Sequence, residues 1–224
     1  MTLPIAKEGL LIIGTVLGTA LCLFLLSLGA SGVPAQILRI SATVTVVGGL
    51  FCCYFFRDPE RIISEHPDQL LAPADGTIID IREVVEPLYL KAPARRVSIF
   101  MSVFNVHVNR APCSGTIEFL HYNPGRFISA FKDKASDENE SMLAGMRCAK
   151  RQERIAVKFI AGLIARRIVF YKKVDDTVQQ GERINIIKFG SRVDLFCPRD
   201  AKILVAIGDR VTAGSSAIAM LPER

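Results

Sequence analysis

Two apolar runs near the start of the chain restrict its folding more than any other feature. Residues 9–38 carry no charge, and residues 10–28 are strongly apolar. As a helix, that run reaches about 28 Å, close to the hydrocarbon thickness of a bilayer. Gly29-Ala30-Ser31-Gly32-Val33-Pro34 breaks it, and residues 40–56 form a second uncharged run ending in Phe51-Cys52-Cys53-Tyr54-Phe55-Phe56. Aromatic residues at such an end suit a membrane interface. The pattern predicts an N-terminal transmembrane helical hairpin, a membrane anchor over residues 1–61. A cleaved signal peptide would need a strongly basic start, and here a second apolar run follows at once. Arg39 must snorkel to the far face or mark a shallow, re-entrant second segment. Two crossings leave both chain ends on one side. Arg57 and Arg61 follow the hairpin directly and the loop between its two runs is uncharged, so the positive-inside rule places the remaining residues, 62–224, in the cytoplasm.

Those two runs account for much of a chain that is 50% hydrophobic, yet the net charge is +6. That sign suits an anionic partner such as a membrane surface or an acidic headgroup. The aromatic-basic interleaving of single-strand binders is missing, so nucleic acid is not expected. The six cysteines are Cys22, Cys52, Cys53, Cys113, Cys148 and Cys197, none in C-x-x-C spacing or beside a histidine. Neither a metal site nor a disulfide framework is expected, and a reducing compartment is the simpler reading.

From Leu70 onward the runs are short, rich in Val and Ile, and punctuated by Gly, Pro and Asp. Residues 76–81, 97–101, 115–120, 154–159 and 167–171 read as strands. Residues 131–150, charged and rich in Ser and Asn, read as a long loop or lid. The signature D-x-V-x-x-G occurs twice, at Asp176–Gly181 and Asp209–Gly214. The same pattern marks lipoyl- and biotinyl-like barrels, where the glycine serves a tight turn. The expected fold is therefore mainly β: a quasi-duplicated, barrel-sandwich-like domain behind the helical hairpin. A carrier domain would present a modifiable lysine at a hairpin tip, and no persuasive one is visible.

Lys188-Phe189-Gly190-Ser191-Arg192-Val193-Asp194-Leu195-Phe196 reads as a strand interrupted by Gly-Ser. A glycine there usually marks a bulge or a close backbone approach. Of the two Gly-Ser bonds, Gly214-Ser215 is explained by the repeat, because Gly214 aligns with the turn glycine Gly181. Gly190-Ser191 has no such counterpart.

Six further pieces have a recognisable order. They are F-F-R-D-P-E-R at 55–61, A-P-A-D-G at 72–76, F-N-V-H-V-N-R-A-P at 104–112, N-P-G-R-F at 123–127, D-K-A-S-x-E-N-E at 133–140 and G-E-R-I-x-x-I-K-F-G-S-R-V-D at 181–194. In this order, behind a membrane anchor, the chain resembles the short, prokaryotic (archaeal-type) form of the phosphatidylserine decarboxylases. The resemblance implies a proenzyme that cleaves itself between Gly190 and Ser191, turning Ser191 into a covalent pyruvoyl cofactor. It implies decarboxylation of phosphatidylserine to phosphatidylethanolamine through a Schiff base on that group. The two fragments would remain together as a heterodimer, with further oligomerisation open, and the substrate would be drawn from the cell membrane.

The implied chemistry asks for a base near the Ser191 hydroxyl, and histidine is the usual one near neutral pH. His107 is the candidate, since His66 and His121 fall in a linker and at a strand end. Without the resemblance, His107 reads as a structural residue on an alternating strand. Asp75 would orient it or stabilise its charge, and otherwise reads as a turn residue. Longer family members carry H-x-x-H, whereas this chain has His107-Val108-Asn109-Arg110. Either His107 serves both self-processing and decarboxylation, or Arg110 binds a carboxylate or phosphate. Arg110 and Arg192 are the candidate substrate-binding cations. Arg95, Arg96, Arg166, Arg167, Lys172 and Lys173 could hold the domain against anionic lipid. Two rival readings predict different behaviour. A non-enzymatic membrane-anchored adaptor or carrier would keep Ser191 intact. A pyruvoyl decarboxylase of another amine-bearing carboxylate would leave the hairpin without a clear purpose.

Overall fold

A computed structural model describes residues 4–63, 66, 68–125, 138–162, 168–188 and 190–222. The chain resolves into two compact units, Met1–Glu60 and Arg61–Arg224.

The first unit is a helical hairpin of α1 (Lys7–Gly29) and α2 (Gly32–Phe55). Both helices are long and apolar enough to cross a membrane, which is consistent with membrane association. The break is shorter than the sequence suggests. α2 starts at Gly32 and carries both Pro34 and Arg39. Pro34 is tolerated because it lies in the first turn, where backbone N–H groups have no intrahelical acceptor. The buried residues Ile13, Ala20 and Ser27 of α1 and Ala35, Ala42 and Gly49 of α2 each recur every seventh position. This heptad stripe of mostly small residues lets the two backbones approach. A Cβ on Gly49 would stand 2.5 Å from Leu17 Cδ2. Thr15, Thr19, Thr43 and Thr45 bond their hydroxyls to carbonyls four residues back, so no helix hydroxyl among them needs water.

Among the described residues the second unit has fourteen strands. They are β1 (Gln69–Leu71), β2 (Gly76–Glu86), β3 (Ala92–Met101), β4 (Val108–Arg110), β5 (Gly115–Asn123), β6 (Ser141–Cys148) and β7 (Arg154–Ala161), followed by β8 (Ile168–Phe170), β9 (Thr177–Val178), β10 (Arg183–Ile187), β11 (Ser191–Pro198), β12 (Lys202–Ile203), β13 (Arg210–Val211) and β14 (Ala217–Met220). The loop expected over 131–150 is corrected in part. The buried apolar run Leu143 to Met146 lies in β6, residues 141–148, paired with β5 on one edge and β7 on the other, while residues 131–137 lie outside the described residues.

Three sheets form: β1-β14-β12, β4-β10-β8, and β13-β2-β3-β11-β7-β6-β5-β9. The last order is a palindrome under the exchange of β13 with β9, β2 with β5, β3 with β6 and β11 with β7. The two small sheets exchange likewise. The duplication is therefore real and reaches individual bonds. Ala72-Pro73-Ala74-Asp75-Gly76-Thr77-Ile78 is the twin of Ala111-Pro112-Cys113-Ser114-Gly115-Thr116-Ile117. Arg110 N–H donates to Pro73 O and Leu71 N–H to Pro112 O, each at 2.9 Å. Gly214 N–H donates to Ala72 O and Gly181 N–H to Ala111 O, at 2.9 and 2.8 Å. Gly76 and Gly115 each lie under a neighbouring carbonyl. A Cβ would sit 2.2 Å from Phe100 O in one and 2.0 Å from Arg147 O in the other, so no side chain fits. A bulge follows both, at 78–80 and 117–119.

One copy runs unbroken from β4 to β10. The other is split: β1–β3 precede it and β11–β14 follow it. The hairpin β6–β7 of the intact copy corresponds to β3 and β11 of the split copy, where Met101 pairs with Ser191. Residues 102–190 are thus inserted into what would otherwise be a hairpin turn.

The main core collects Ile99, Ile117, Met146, Val157, Val193 and Leu195 from the large sheet. Leu70, Ile184 and Ile218 join them from the small sheets. Each such burial contributes about 1.5–3 kcal/mol before chain entropy is counted. The large sheet curls. Tyr89, in the turn after β2, donates its hydroxyl to Glu118 of β5 at 2.6 Å and packs on Gly145 of β6, although four strands separate β2 from β5.

Candidate active site

The site forms where the inserted copy leaves and rejoins the split one. After β3 the chain makes a tight turn. Asn105 Oδ1 accepts from Ser102 N–H at 2.9 Å and Ser102 Oγ at 2.8 Å. His107 follows, just ahead of β4 rather than inside a strand, and is fully buried. Its carbonyl accepts from Ile187 N–H at 3.3 Å, which ties it to the end of β10. Three residues later the chain reaches Gly190 and enters β11 at Ser191.

This return brings Gly190 against His107. The Gly190 N–H donates to His107 Nε2 at 3.2 Å, and His107 Nδ1 lies 3.0 Å from Asn105 O. A carbonyl accepts only a protonated nitrogen, and an N–H needs a lone pair. These two bonds define a neutral imidazole with its proton on Nδ1 and its lone pair at Nε2. Gly190 has φ +62, a left-handed conformation that a Cβ would strain. Ser191 is fully buried, and its hydroxyl donates to Met101 Sδ at 3.1 Å. Sulfur is a weak acceptor, so this hydroxyl is held loosely.

His107, Gly190 and Ser191, named from the sequence, therefore come together. Asp75 lies elsewhere in the network. Its carboxylate takes Arg61 Nη2 at 2.8 and 3.1 Å and the Ala213 N–H at 2.8 Å. Among the described residues no hydrogen bond joins Asp75 to His107. The twin position holds Ser114, whose hydroxyl accepts Gln180 N–H at 2.9 Å. Asp75 and Ser114 thus brace equivalent turns, each ending at a left-handed glycine, Gly214 (φ +73) and Gly181 (φ +79). Ser215 belongs to that turn, and its exposed hydroxyl meets Ile62 O at 3.2 Å.

Arg110 is buried between the two turns and donates Nη1 to Gly181 O at 2.9 Å. Arg192 projects from the face of β11 opposite Ser191. Its Nε donates to Asp194 Oδ1 at 2.7 Å and Nη2 to Ser98 Oγ at 2.9 Å, all three side chains being buried. Of the basic residues expected to face lipid, Arg95 is exposed, but Arg96 turns inward to Asp80 at 2.9 Å. Lys172 is paired with Glu182. Arg166 and Arg167 lie outside the described residues, as do Phe189 and residues 126–137 of the N-P-G-R-F and D-K-A-S motifs.

Sequence reasoning missed Asn105, which orients the histidine, and the buried Asn109–Asn185 pair beside it. Asn109 Nδ2 donates to Asn185 Oδ1 at 2.6 Å across β4 and β10. The remaining amide atoms, Asn109 Oδ1 and Asn185 Nδ2, have no partner among the described residues. The N-V-H-V-N run contained this signal, but pairing Asn109 with a residue 76 positions away needs the sheet.

Comparison with known proteins identifies the family. The profile of the family described as phosphatidylserine decarboxylase matches residues 49–219. A phosphatidylserine decarboxylase proenzyme of Amoebophilus asiaticus is 42% identical over 221 residues, covering 98% of this chain and 97% of that protein. One from Syntrophus aciditrophicus is 45% identical, covering 95% of each. One from a Wolbachia of Brugia malayi is 49% identical over 176 residues, covering 77% of this chain and 76% of its own. These matches place the chain among enzymes made as proenzymes. It belongs to the phosphatidylserine decarboxylase family.

Proposed function

We propose that the chain is a membrane-anchored decarboxylase that converts phosphatidylserine to phosphatidylethanolamine, using a pyruvoyl group made from its own Ser191. The hydrogen bond from the N–H of Gly190, the residue preceding Ser191, to His107 Nε2 carries this reading. The residues present suit such a group. A buried serine follows a left-handed glycine, and that glycine's N–H donates to the lone pair of a neutral histidine.

Self-processing starts when the Ser191 hydroxyl leaves Met101 Sδ and turns onto the Gly190 carbonyl carbon. His107 accepts the hydroxyl proton at Nε2. The Oγ–C bond forms, the C–N bond breaks, and the proton passes to the freed nitrogen, leaving an ester. Loss of the Ser191 Cα proton then breaks the Cβ–Oγ bond and releases Gly190 as a carboxylate. Water replaces the nitrogen of the remaining dehydroalanine, which departs as ammonia. The absence of a Cβ on Gly190 leaves its carbonyl open to attack. Once formed, the pyruvoyl group supplies an electron sink for a substrate amine losing CO2.

Cleavage yields fragments 1–190 and 191–224. They stay together as a heterodimer because β11 is hydrogen-bonded on both edges, to β3 and β7. Residues 1–61 anchor the enzyme, and residues 62–224 work on the cytoplasmic side.

Intact-mass analysis of the purified chain beside Ser191→Ala and Ser215→Ala tests this. Two fragments breaking after Gly190, a blocked N-terminus on the smaller and loss of cleavage in Ser191→Ala alone are expected. Release of CO2 from phosphatidylserine vesicles, compared with free serine, tests the substrate. One uncleaved chain in lipid-active material would sink the proposal.

A further inference from the structure

We propose that the face of the large sheet opposite the Ser191 side chain holds a second binding site, for a phosphate ester carried on an apolar chain. The curl of the sheet encloses a cavity of about 360 Å³ there, a size common for small-molecule sites. Its polar and basic lining residues are Arg96, Lys158, His121, Ser141 and Asn123. Apolar ones sit among and beyond them: Leu143 between Lys158 and His121, Phe196 beside Arg96, and Val84, Val85 and Leu88. The strand registers place Arg96, Lys158 and His121 on one face of β3, β7 and β5.

The charges favour an anion. Glu86, the acid among these lining residues, is taken up by three backbone N–H groups, those of Leu88, Tyr89 and Leu90 at 3.0, 2.9 and 2.6 Å. Asp80 accepts Arg82 and Arg96, and Asp194 accepts Arg192. One buried guanidinium N–H of the lining, Arg96 Nε, still has no partner among the described residues, and neither has Arg192 Nη1, which lies on the same face of the sheet but outside the lining. A buried donor left unpaired is costly, and a phosphate oxygen is the acceptor an arginine fork matches best. The apolar lining continues to an exposed rim at Val85 and Leu88, which suits a chain trailing outward. Arg192 directly follows Ser191, so an occupant here would bear on the strand that carries the cleavage point. The site itself does not rest on the processing reading.

Calorimetric titration of the full chain in a nonionic detergent tests this, with hexyl phosphate, inorganic phosphate and hexyltrimethylammonium as probes. Hexyl phosphate should bind one to one, at least tenfold tighter than inorganic phosphate, and the cation should not bind. Arg96→Gln should weaken hexyl phosphate at least tenfold. Because Arg96 also pairs with Asp80, Val85→Glu at the exposed rim provides a second variant that leaves the core untouched, with the same expected loss. Ser191→Ala should bind as the parent does, whatever becomes of processing. No binding, equal binding of inorganic phosphate, or an affinity unchanged by Val85→Glu would each overturn the site.

Discussion

The His107 ring bridges two turns of chain: Nδ1 faces the Asn105 carbonyl at 3.0 Å, and Nε2 receives the Gly190 N–H at 3.2 Å. One neighbour sets the tautomer, and the other is the N–H of the glycine that precedes Ser191. Replacing His107 by Ala should slow formation of the two fragments by about 100-fold or more, the usual contribution of a positioned base. A time course of intact mass after synthesis reads this directly. Cleavage at the parental rate would remove His107 from the processing step.

Gly190→Ala separates backbone strain from crowding. A Cβ there would have Val103 Cγ1 as its neighbour at 3.8 Å, which is ordinary contact. At φ +62 the substitution should cost about 1–2 kcal/mol through backbone strain alone. The variant should fold with a lowered denaturation midpoint and cleave more slowly than the parent. Normal cleavage would show that the left-handed glycine is dispensable to the chemistry.

The twin turns provide a control for Asp75. Ser114 fills the equivalent position with a hydroxyl, so Asp75→Ser should retain the bond to Ala213 N–H and remain closer to parental stability than Asp75→Ala. The difference between the two variants should be about 1 kcal/mol, one buried hydrogen bond. Processing lost in Asp75→Ser while its denaturation midpoint holds would point to a chemical role for the carboxylate. Processing kept would leave bracing of the turn as its task.

Arg192 and Asp194 form a fully buried pair. Arg192→Met should cost about 3–5 kcal/mol, because it breaks a buried ion pair by removing the guanidinium that donates to both Asp194 oxygens. Arg192→Met with Asp194→Met should recover most of that loss in chemical denaturation. If the double variant is as unstable as the single one, the pair is not what holds Arg192.

Glu118 should shape the acid limb of stability. The Tyr89 hydroxyl, with Arg147 and Arg154 assisting against partial burial, holds its carboxyl below the ordinary value. A depressed folded value means the unfolded chain binds the proton first. This contribution is complete above the ordinary glutamate pKa of about 4.3 and is lost as pH falls from there through the folded value. Glu118→Gln should therefore show a shallower decline in melting temperature between neutral and acid pH. An unchanged slope would exclude Glu118 as a contributor.

The sequence by itself determined the features that depend on near neighbours. Uncharged runs of helical length dictated the hairpin, and short Val- and Ile-rich runs dictated a β domain. The two D-x-V-x-x-G turns betrayed the duplication, and their alignment gave Gly214-Ser215 a turn role, which left Gly190-Ser191 as the expected cleavage point. The second echo, A-P-A-D-G-T-I against A-P-C-S-G-T-I, was present but looked like ordinary turn chemistry until both glycines were seen under carbonyls of neighbouring strands. Other features arose only from contact between distant segments. Tertiary structure brought His107 and Gly190, 83 positions apart, to the same point, and it sent Asp75 to Arg61 and Ala213. It turned Arg96 inward, whereas charge alone suggested a surface. Local pattern records which face of a strand is apolar, because that follows from alternation along the chain. It does not record which strand lies alongside, and the partners of a buried polar group are chosen by that neighbour.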